Sequence, residues 1–204
     1  NPASTALLVI DMQNFYMVEG QTSYCPGAHA IVPIINLLAD SMRRFGAKVI
    51  WLRNVTNPEA FKTWSTHYDR MKPEHVEHRN SGLAKDSEGF SLWHALDARD
   101  NDLWVDKTRY SAFIEGASNI RNLLQTHGID TLVLCGVVTN VCVESTARDA
   151  MMLNYRTLTI EDACGAITPE AHAAALNALY MNFGDVQTTE DLINQLAVDK
   201  AAAD

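Results

Sequence analysis

The sequence predicts an α/β fold in which a six-stranded, mainly parallel Rossmann-like sheet lies between two layers of helices. Two observations lead to this three-layer α/β/α arrangement. Short apolar runs alternate along the chain with longer segments whose apolar residues recur at helical spacing. Several of the short runs, such as ALLVID at 6–11, are almost continuously apolar, which is typical of strands covered on both faces.

Six strands and five helices account for the chain outside one central segment. The strands are predicted at residues 6–11, 47–53, 103–107, 130–136, 156–162 and 185–188. The helices are predicted at 30–45, 117–127, 140–153 and 169–183, with a last helix after the sixth strand. Gly46 is expected to end the first helix, and Pro33 to lie in its first turn. Thr168, Pro169 and Glu170 have the residue types of an N-cap and a first turn.

The sequence predicts a single domain over residues 1–204, because no repeat, low-complexity segment or linker-like change of composition interrupts it. Residues 54–102 are the exception to the regular pattern, since they are polar and weakly periodic. A stretch of this length inside a compact domain is usually a functional loop or a lid. We therefore expect a long loop excursion at 54–102 that contributes to the functional site.

Charge and cysteine content narrow the class of protein. The chain has 16 Lys and Arg residues against 25 Asp and Glu residues, a formal net charge of −9. Nucleic acids and anionic membranes attract basic surfaces, and no apolar run approaches the roughly 18 residues that span a bilayer. The four cysteines are scattered without a CxxC pair, as expected of reduced thiols in a cytoplasmic protein. These features predict that neither a nucleic acid nor a membrane is a partner.

Polar side chains follow three of the predicted strands. Asp11 follows the first strand, Lys107 ends the third, and Cys142 follows the fourth after a short turn. Because ligands of open α/β sheets bind at the carboxyl ends of the strands, these three residues are expected to meet at one edge. Taken singly, Cys142 could be a core residue, Asp11 a turn residue and Lys107 a solvated charge. Their convergence on one edge favours a site.

The three residue types form a set of reagents for nucleophilic catalysis. Cys142 in the first turn of a helix would have its thiolate favoured by unpaired N–H groups. Asp11 could accept the thiol proton and later deliver it to a leaving amine. Lys107 could keep Asp11 ionised. The N–H groups of the turn from Gly136 to Cys142 would face a developing oxyanion.

Three motifs make the chain resemble the isochorismatase-like cysteine hydrolases, the family of nicotinamidases and of N-carbamoylsarcosine and ureidoacrylate amidohydrolases. The motifs are LLVIDMQNFY at 7–16, VDKTRYSAF at 105–113 and LCGVVTNVCVESTARDA at 134–150. The resemblance implies the isochorismatase-like hydrolase fold and a catalytic triad of Asp11, Lys107 and Cys142. It further implies a cis peptide between Val137 and Val138, an oxyanion hole made by the N–H groups of Val138 and Cys142, and a homodimer or homotetramer.

The resemblance also implies a reaction, hydrolysis of a small amide or ureido C–N bond through a thioester, without a cofactor. Two alternatives remain open. Isochorismatases cleave a vinyl ether by protonation, and Asp11 would then be the acid. The fold could instead carry a non-catalytic or redox-sensing protein with a reactive Cys142.

No metal site is predicted. Nicotinamidases have a D-x-H motif after the second strand, whereas the corresponding stretch here reads WLRNVTN. The pair His75 and His78 has neither a predicted helix nor a carboxylate at the family's spacing.

Substrate contacts are expected from residues that follow the catalytic motifs: Asn14, Phe15, Tyr16, Tyr110 and Phe113. Aromatic walls would exclude water from a thioester. Arg53 could pair with a substrate carboxylate or lie at the surface, and Gln13 is expected to be structural. Cys135, inside the fourth strand, is expected to be a core residue.

Overall fold

The computed structural model describes the backbone of residues 1–203 and the side chains of residues 1–198. Its six strands form one sheet in the order β3-β2-β1-β4-β5-β6, and every neighbouring pair is parallel. The strands are β1 (Thr5–Ile10), β2 (Lys48–Asn54), β3 (Leu103–Lys107), β4 (Thr131–Val137), β5 (Arg156–Gly165) and β6 (Asp185–Gln187). All six predicted strands are present, each within one residue of its predicted start.

Helices flank the sheet on both faces, which confirms the α/β fold. The helices are α1 (Asn14–Met17), α2 (Ala28–Phe45), α3 (Pro58–Thr63), α4 (Ser65–Tyr68), α5 (Pro73–Gly82), α6 (Ile120–Thr126), α7 (Glu144–Met152), α8 (Pro169–Asn182) and α9 (Thr189–Ala203). A 3₁₀ turn (Pro2–Ser4) precedes β1, and a π-helical turn (Thr139–Val143) precedes α7. Helix α2 packs with α9 and helix α7 packs with α8, so the two pairs cover opposite faces of the sheet.

The central strands are buried because helices cover both of their faces. Every residue of β1 is buried, and so is every residue of β4 except Thr131. In the part of the chain that the structure describes, no helix combines the length and the hydropathy needed to cross a bilayer.

Two local predictions about α2 have different outcomes. Gly46 caps the helix in a left-handed conformation with φ of +89°, as expected of a terminating glycine. The helix begins at Ala28, however, so the prediction that Pro33 lies in its first turn is wrong. Pro33 is exposed, and the carbonyl of His29 that loses its helical donor lies on the same side, where water can satisfy it.

The segment 54–102 is more ordered than the predicted loop, because it contains the three short helices α3, α4 and α5. Their apolar pattern is weak since few of their residues are buried; in α5 only Arg79 is. The end of the segment is fixed by Asp102, whose carboxylate accepts hydrogen bonds from Arg43 of α2 and from the Trp51 indole of β2. These bonds to two elements of the core hold the segment against the sheet.

Candidate active site

The sheet topology brings Asp11 and Lys107 together as a buried ion pair. Asp11 follows β1 and Lys107 ends β3, two strands away. Lys107 Nζ donates to Asp11 Oδ2 at 2.7 Å and to the Arg109 carbonyl at 3.2 Å. Both residues are fully buried. The chain reverses its direction of winding between β1 and β4, so the pair lies at the topological switch point where open α/β sheets bind ligands.

Cys142 reaches the same point from β4. The strand ends at Val137, the peptide bond from Val137 to Val138 is cis, and the π-helical turn that contains Cys142 follows. The cis bond was expected from the family resemblance and is confirmed. The Val138 carbonyl accepts hydrogen bonds from the N–H groups of Val141 and Val143. Within residues 1–203, the Val138 N–H has no hydrogen-bond partner.

The Cys142 thiol is neutral at rest. Burial raises its pKa, the negative charge of Asp11 raises it further, and Lys107 only partly opposes them, so the pKa is about 12. At pH 7 about one molecule in 10⁵ would therefore carry a thiolate without help. Asp11 Oδ1 is buried and accepts no hydrogen bond of ordinary geometry from any described residue. The arrangement is thus a neutral thiol beside a carboxylate oxygen that is available as a base.

Lys107 remains charged in spite of its complete burial. Desolvation lowers its pKa, but the charge of Asp11 and the hydrogen bond to it oppose this effect, and the pKa stays above its usual value. A buried ammonium is stable only with a partner, and here the partner is Asp11. The ammonium holds Asp11 Oδ2 at 2.7 Å and makes no hydrogen bond to Oδ1.

Gln13 fixes the backbone around this pair. Its amide Oε1 accepts from the Asn54 N–H at 2.7 Å, and its Nε2 donates to the carbonyls of Asn54 and Phe90 at 3.0 and 2.9 Å. These bonds of Gln13 join the stretch that follows β1 to the end of β2 and to the segment 54–102. Gln13 thus has the structural role expected for it.

The expected contacts that follow β1 have three different environments. Asn14 donates from its side-chain amide to the Glu88 carbonyl at 2.9 Å, so it fixes the segment 54–102. Phe15 is fully buried and packs edge-on against Tyr16. Tyr16 lies nearest the chemistry, because the charges of Arg79, Asp11 and Cys142 all act on its phenol. Burial raises the pKa of Tyr16 well above its usual value, so the phenol is neutral.

The two aromatic residues expected after β3 lie in different places. Tyr110 packs against Trp64 and His67, with ring centroids 5.0 and 5.3 Å away, and its pKa responds to Cys142. Phe113 instead packs against Tyr155, at the start of β5 and therefore at the end of the sheet opposite Cys142. Phe113 therefore does not join the other candidate residues.

Comparison with known proteins agrees with this geometry. The family model described as the isochorismatase domain matches residues 5–191. The chain belongs to the isochorismatase family. It is 32% identical over 199 residues to the isochorismatase family protein YecD of Escherichia coli O157:H7, covering 96% of this chain and 98% of that protein. It is 31% identical over 210 residues to the ureidoacrylate amidohydrolase RutB of Acinetobacter baylyi, covering 95% and 84% of the two chains.

A solved cysteine hydrolase has the same fold. The cysteine hydrolase from Pseudomonas syringae pv. phaseolicola superposes with a TM-score of 0.86 at 27% identity, covering 97% of this chain and 94% of that one. The resemblance inferred from the three motifs is confirmed by these matches, and the protein is a hydrolase of the isochorismatase family.

The histidines of the segment 54–102 are not gathered into a metal site. Among the side chains of residues 1–198, no group of three or more His, Cys, Asp or Glu residues has a metal-binding arrangement. His78 contacts Gln21 Oε1 at 2.6 Å and packs beside the Phe15 ring. His67 is stacked on Trp64 with ring centroids 3.9 Å apart.

Two arginines bear on this site, and only Arg53 was a candidate from the sequence. Arg53 pairs with Asp106 at 2.8 Å and lies over the rings of Phe90 and Trp104, so its charge is already compensated. Arg79 of α5 lies instead among the tyrosines and Cys142. No sequence signal marks it, since α5 is polar on all sides and its approach to the site is a tertiary contact.

Proposed function

We propose that this hydrolase cleaves a C–N bond of a small amide or ureido substrate through a thioester on Cys142. The observation that carries the proposal is the meeting of a neutral, buried thiol with the buried Asp11–Lys107 ion pair. Redox chemistry needs only the thiol, whereas a nucleophile of pKa about 12 needs the base that stands beside it. Similarity to a ureidoacrylate amidohydrolase and to a cysteine hydrolase supports the same chemistry.

The first half of the reaction forms the thioester. Asp11 takes the thiol proton as the sulfur attacks the substrate carbonyl, so that a free thiolate need not accumulate. The carbonyl oxygen becomes an oxyanion, which the N–H groups of Val138 and Cys142 stabilise as the oxyanion hole. The unpaired Val138 N–H supports this role. Collapse of the intermediate expels the amine or ammonia, which receives the proton held by Asp11.

The second half regenerates the thiol. Asp11, ionised again beside Lys107, removes a proton from a water molecule that attacks the thioester carbonyl. The oxyanion forms in the same position, and the sulfur leaves and recovers a proton from Asp11. Lys107 is a positioning residue in both halves, because it holds the carboxylate through Oδ2 and leaves Oδ1 free to exchange protons.

Ammonia release from a panel of small amides and ureido acids tests the proposal. The Cys142→Ala variant is expected to lose at least about 10³-fold in turnover, because the loss of one member of a triad that works as a unit removes most of the rate. Cys135→Ala is the matched control, since it also removes a fully buried thiol but one that lies within β4. Wild-type turnover by Cys142→Ala, with loss in neither variant, would refute a thioester mechanism.

Trapping distinguishes this mechanism from vinyl ether cleavage. Mass spectrometry of acid-quenched wild-type protein should show an adduct on the peptide that contains Cys142. Alkylation with iodoacetamide should abolish amide turnover, whereas cleavage of isochorismate by protonation from Asp11 needs no thiol and would survive. Isochorismate cleavage that persists after complete alkylation, without any amide turnover, would replace the proposed reaction by the vinyl ether one.

A further inference from the structure

Arg79 is a buried cation that has the phenol of Tyr16 beside it but no carboxylate partner among the described side chains. Its side chain belongs to the only buried residue of α5, and the residue is 7% exposed. Among residues 1–198, no ion pair includes Arg79, and its Nε donates to no described residue. Buried guanidinium groups normally have a carboxylate or several acceptors, because desolvating an unpaired charge is costly. The unpaired Nε and the absence of a carboxylate therefore require an explanation.

The titratable groups around Arg79 are polar but uncharged at neutral pH. They are the phenols of Tyr16, Tyr68 and Tyr110 and the thiol of Cys142, none of them a carboxylate. The guanidinium itself is always charged, because arginine does not lose its proton in proteins. Its helix lies directly on Phe15, since a Cβ on Gly82 would be 2.6 Å from that ring.

The groups around the nucleophile carry a net positive charge. Asp11 and Lys107 cancel each other as a 2.7 Å pair. Burial holds the pKa of Cys142 at about 12 and raises that of Tyr16 and Tyr110, so all three are neutral at pH 7. Burial and three arginines lower the pKa of His67 to about 4, so it is neutral as well. Arg79 thus contributes a positive charge beside Cys142 that no described carboxylate compensates and that an anionic ligand would neutralise.

The geometry points to Arg79 as the residue that binds a carboxylate of the substrate, so that the preferred substrates are small amide or ureido acids. This inference rests on the proposed function. A guanidinium offers two parallel donors that match the two oxygens of a carboxylate. The buried Nε of Arg79 supplies one such donor without breaking an existing bond. The carboxylate would lie under α5, with the scissile carbonyl above Cys142.

Arg79 could act in another way, by stabilising the Cys142 thiolate, and a pair of alkylating reagents distinguishes the two roles. Iodoacetate and iodoacetamide attack the same sulfur, but only iodoacetate carries a carboxylate. The measurement is the ratio of their rate constants at Cys142, relative to the same ratio for free cysteine at equal pH and salt. Anion binding by Arg79 predicts a relative ratio of about 10 to 100, the factor expected from hydrogen bonds to a charged group.

Variants of Arg79 make the test specific. Arg79→Gln should bring the relative ratio to about 1. Arg79→Lys should retain part of the preference for iodoacetate, because lysine keeps the charge but not the two parallel donors. Arg70→Gln is the matched control, since it removes a positive charge from an exposed position of the same segment. A ratio that is unchanged in Arg79→Gln overturns the inference. An equal fall of both rate constants overturns it as well, because Arg79 would then stabilise the Cys142 thiolate instead of binding the carboxylate.

Equilibrium binding gives a second test that needs no reactive thiol. The Cys142→Ala protein is titrated calorimetrically with 3-ureidopropionate and with its neutral amide. Selective binding of the acid that is lost in Cys142→Ala/Arg79→Gln supports the inference, whereas equal binding, or binding of neither, overturns it. The two proposals fail separately: selection of the acid through Arg79 without ammonia release by the wild type refutes the hydrolytic proposal and leaves the carboxylate site standing.

Discussion

Gly136, the residue after which β4 turns toward Cys142, provides a sharp test of how the sheet aligns the site. Its φ is +111°, a conformation that L-residues with a side chain rarely adopt, and a Cβ there would lie 2.2 Å from the Ile10 carbonyl oxygen and 2.7 Å from the Ile10 nitrogen. Ile10 is its direct neighbour across the sheet and precedes Asp11. The Gly136→Ala change therefore pushes β1 and β4 apart at the point where they lead to Asp11 and Cys142, the proposed base and nucleophile.

The size of the effect follows from these contacts. Forcing alanine into a left-handed conformation costs about 1–2 kcal/mol. Moving backbone atoms by about 0.8 Å, to bring the contact to the 3.0 Å that real Cβ atoms tolerate, adds about 1–3 kcal/mol of overpacking. Together these contributions should lower the free energy of unfolding by about 2–5 kcal/mol. A displacement near 1 Å between Asp11 and Cys142 should lower turnover by about 10²-fold.

Gly128 supplies the matched control, because it has φ of +64° but no heavy atom within 4 Å of the added Cβ. Gly128→Ala should cost only the conformational part, about 1–2 kcal/mol, and leave turnover unchanged. The assays are urea unfolding followed by tryptophan fluorescence, and the rate of Cys142 alkylation or ammonia release. Equal losses of stability in the two variants, with wild-type activity in Gly136→Ala, would refute the close approach of β1 and β4 as the device that aligns the site.

Two further predictions concern buried charge. Lys107→Met should lower the free energy of unfolding by about 3–5 kcal/mol and abolish turnover, because Asp11 is left buried without its cation. The double variant Lys107→Met/Asp11→Asn should recover stability but not turnover. Losses of stability that simply add in the double variant would contradict the pairing. His67 has a pKa lowered to about 4, mainly by burial, against about 6.5 in the unfolded chain, so the unfolded state binds the proton first and stability falls as the pH drops from 6.5 to 4. His67→Phe should lose less stability than the wild type over this interval in urea titrations, with His75→Phe at an exposed position as control; parallel pH profiles would exclude the effect.

The sequence predicted the positions of Asp11, Lys107 and Cys142 well, but it did not reveal the positions of Arg79 and Phe113. Asp11, Lys107 and Cys142 are tied to the ends of strands, and parallel strands end at one edge, so the position of each strand determined where its residue lies. Arg79 has no such tie, because its helix carries no apolar periodicity and reaches the site through tertiary packing. Phe113 shows the same limit, since proximity to Lys107 in sequence does not reveal where the chain turns after Tyr110.

The separation of the site into two stretches of chain has a consequence for how the family diversifies. The groups to which we assign the chemistry stand at or just after the carboxyl ends of strands of the sheet, where a change of register would destroy the core. The group that we assign to substrate choice stands on α5, in a segment whose helices bury few residues. Exchanging residues 54–102 between relatives could therefore change which molecule is hydrolysed while the catalytic chemistry is inherited intact.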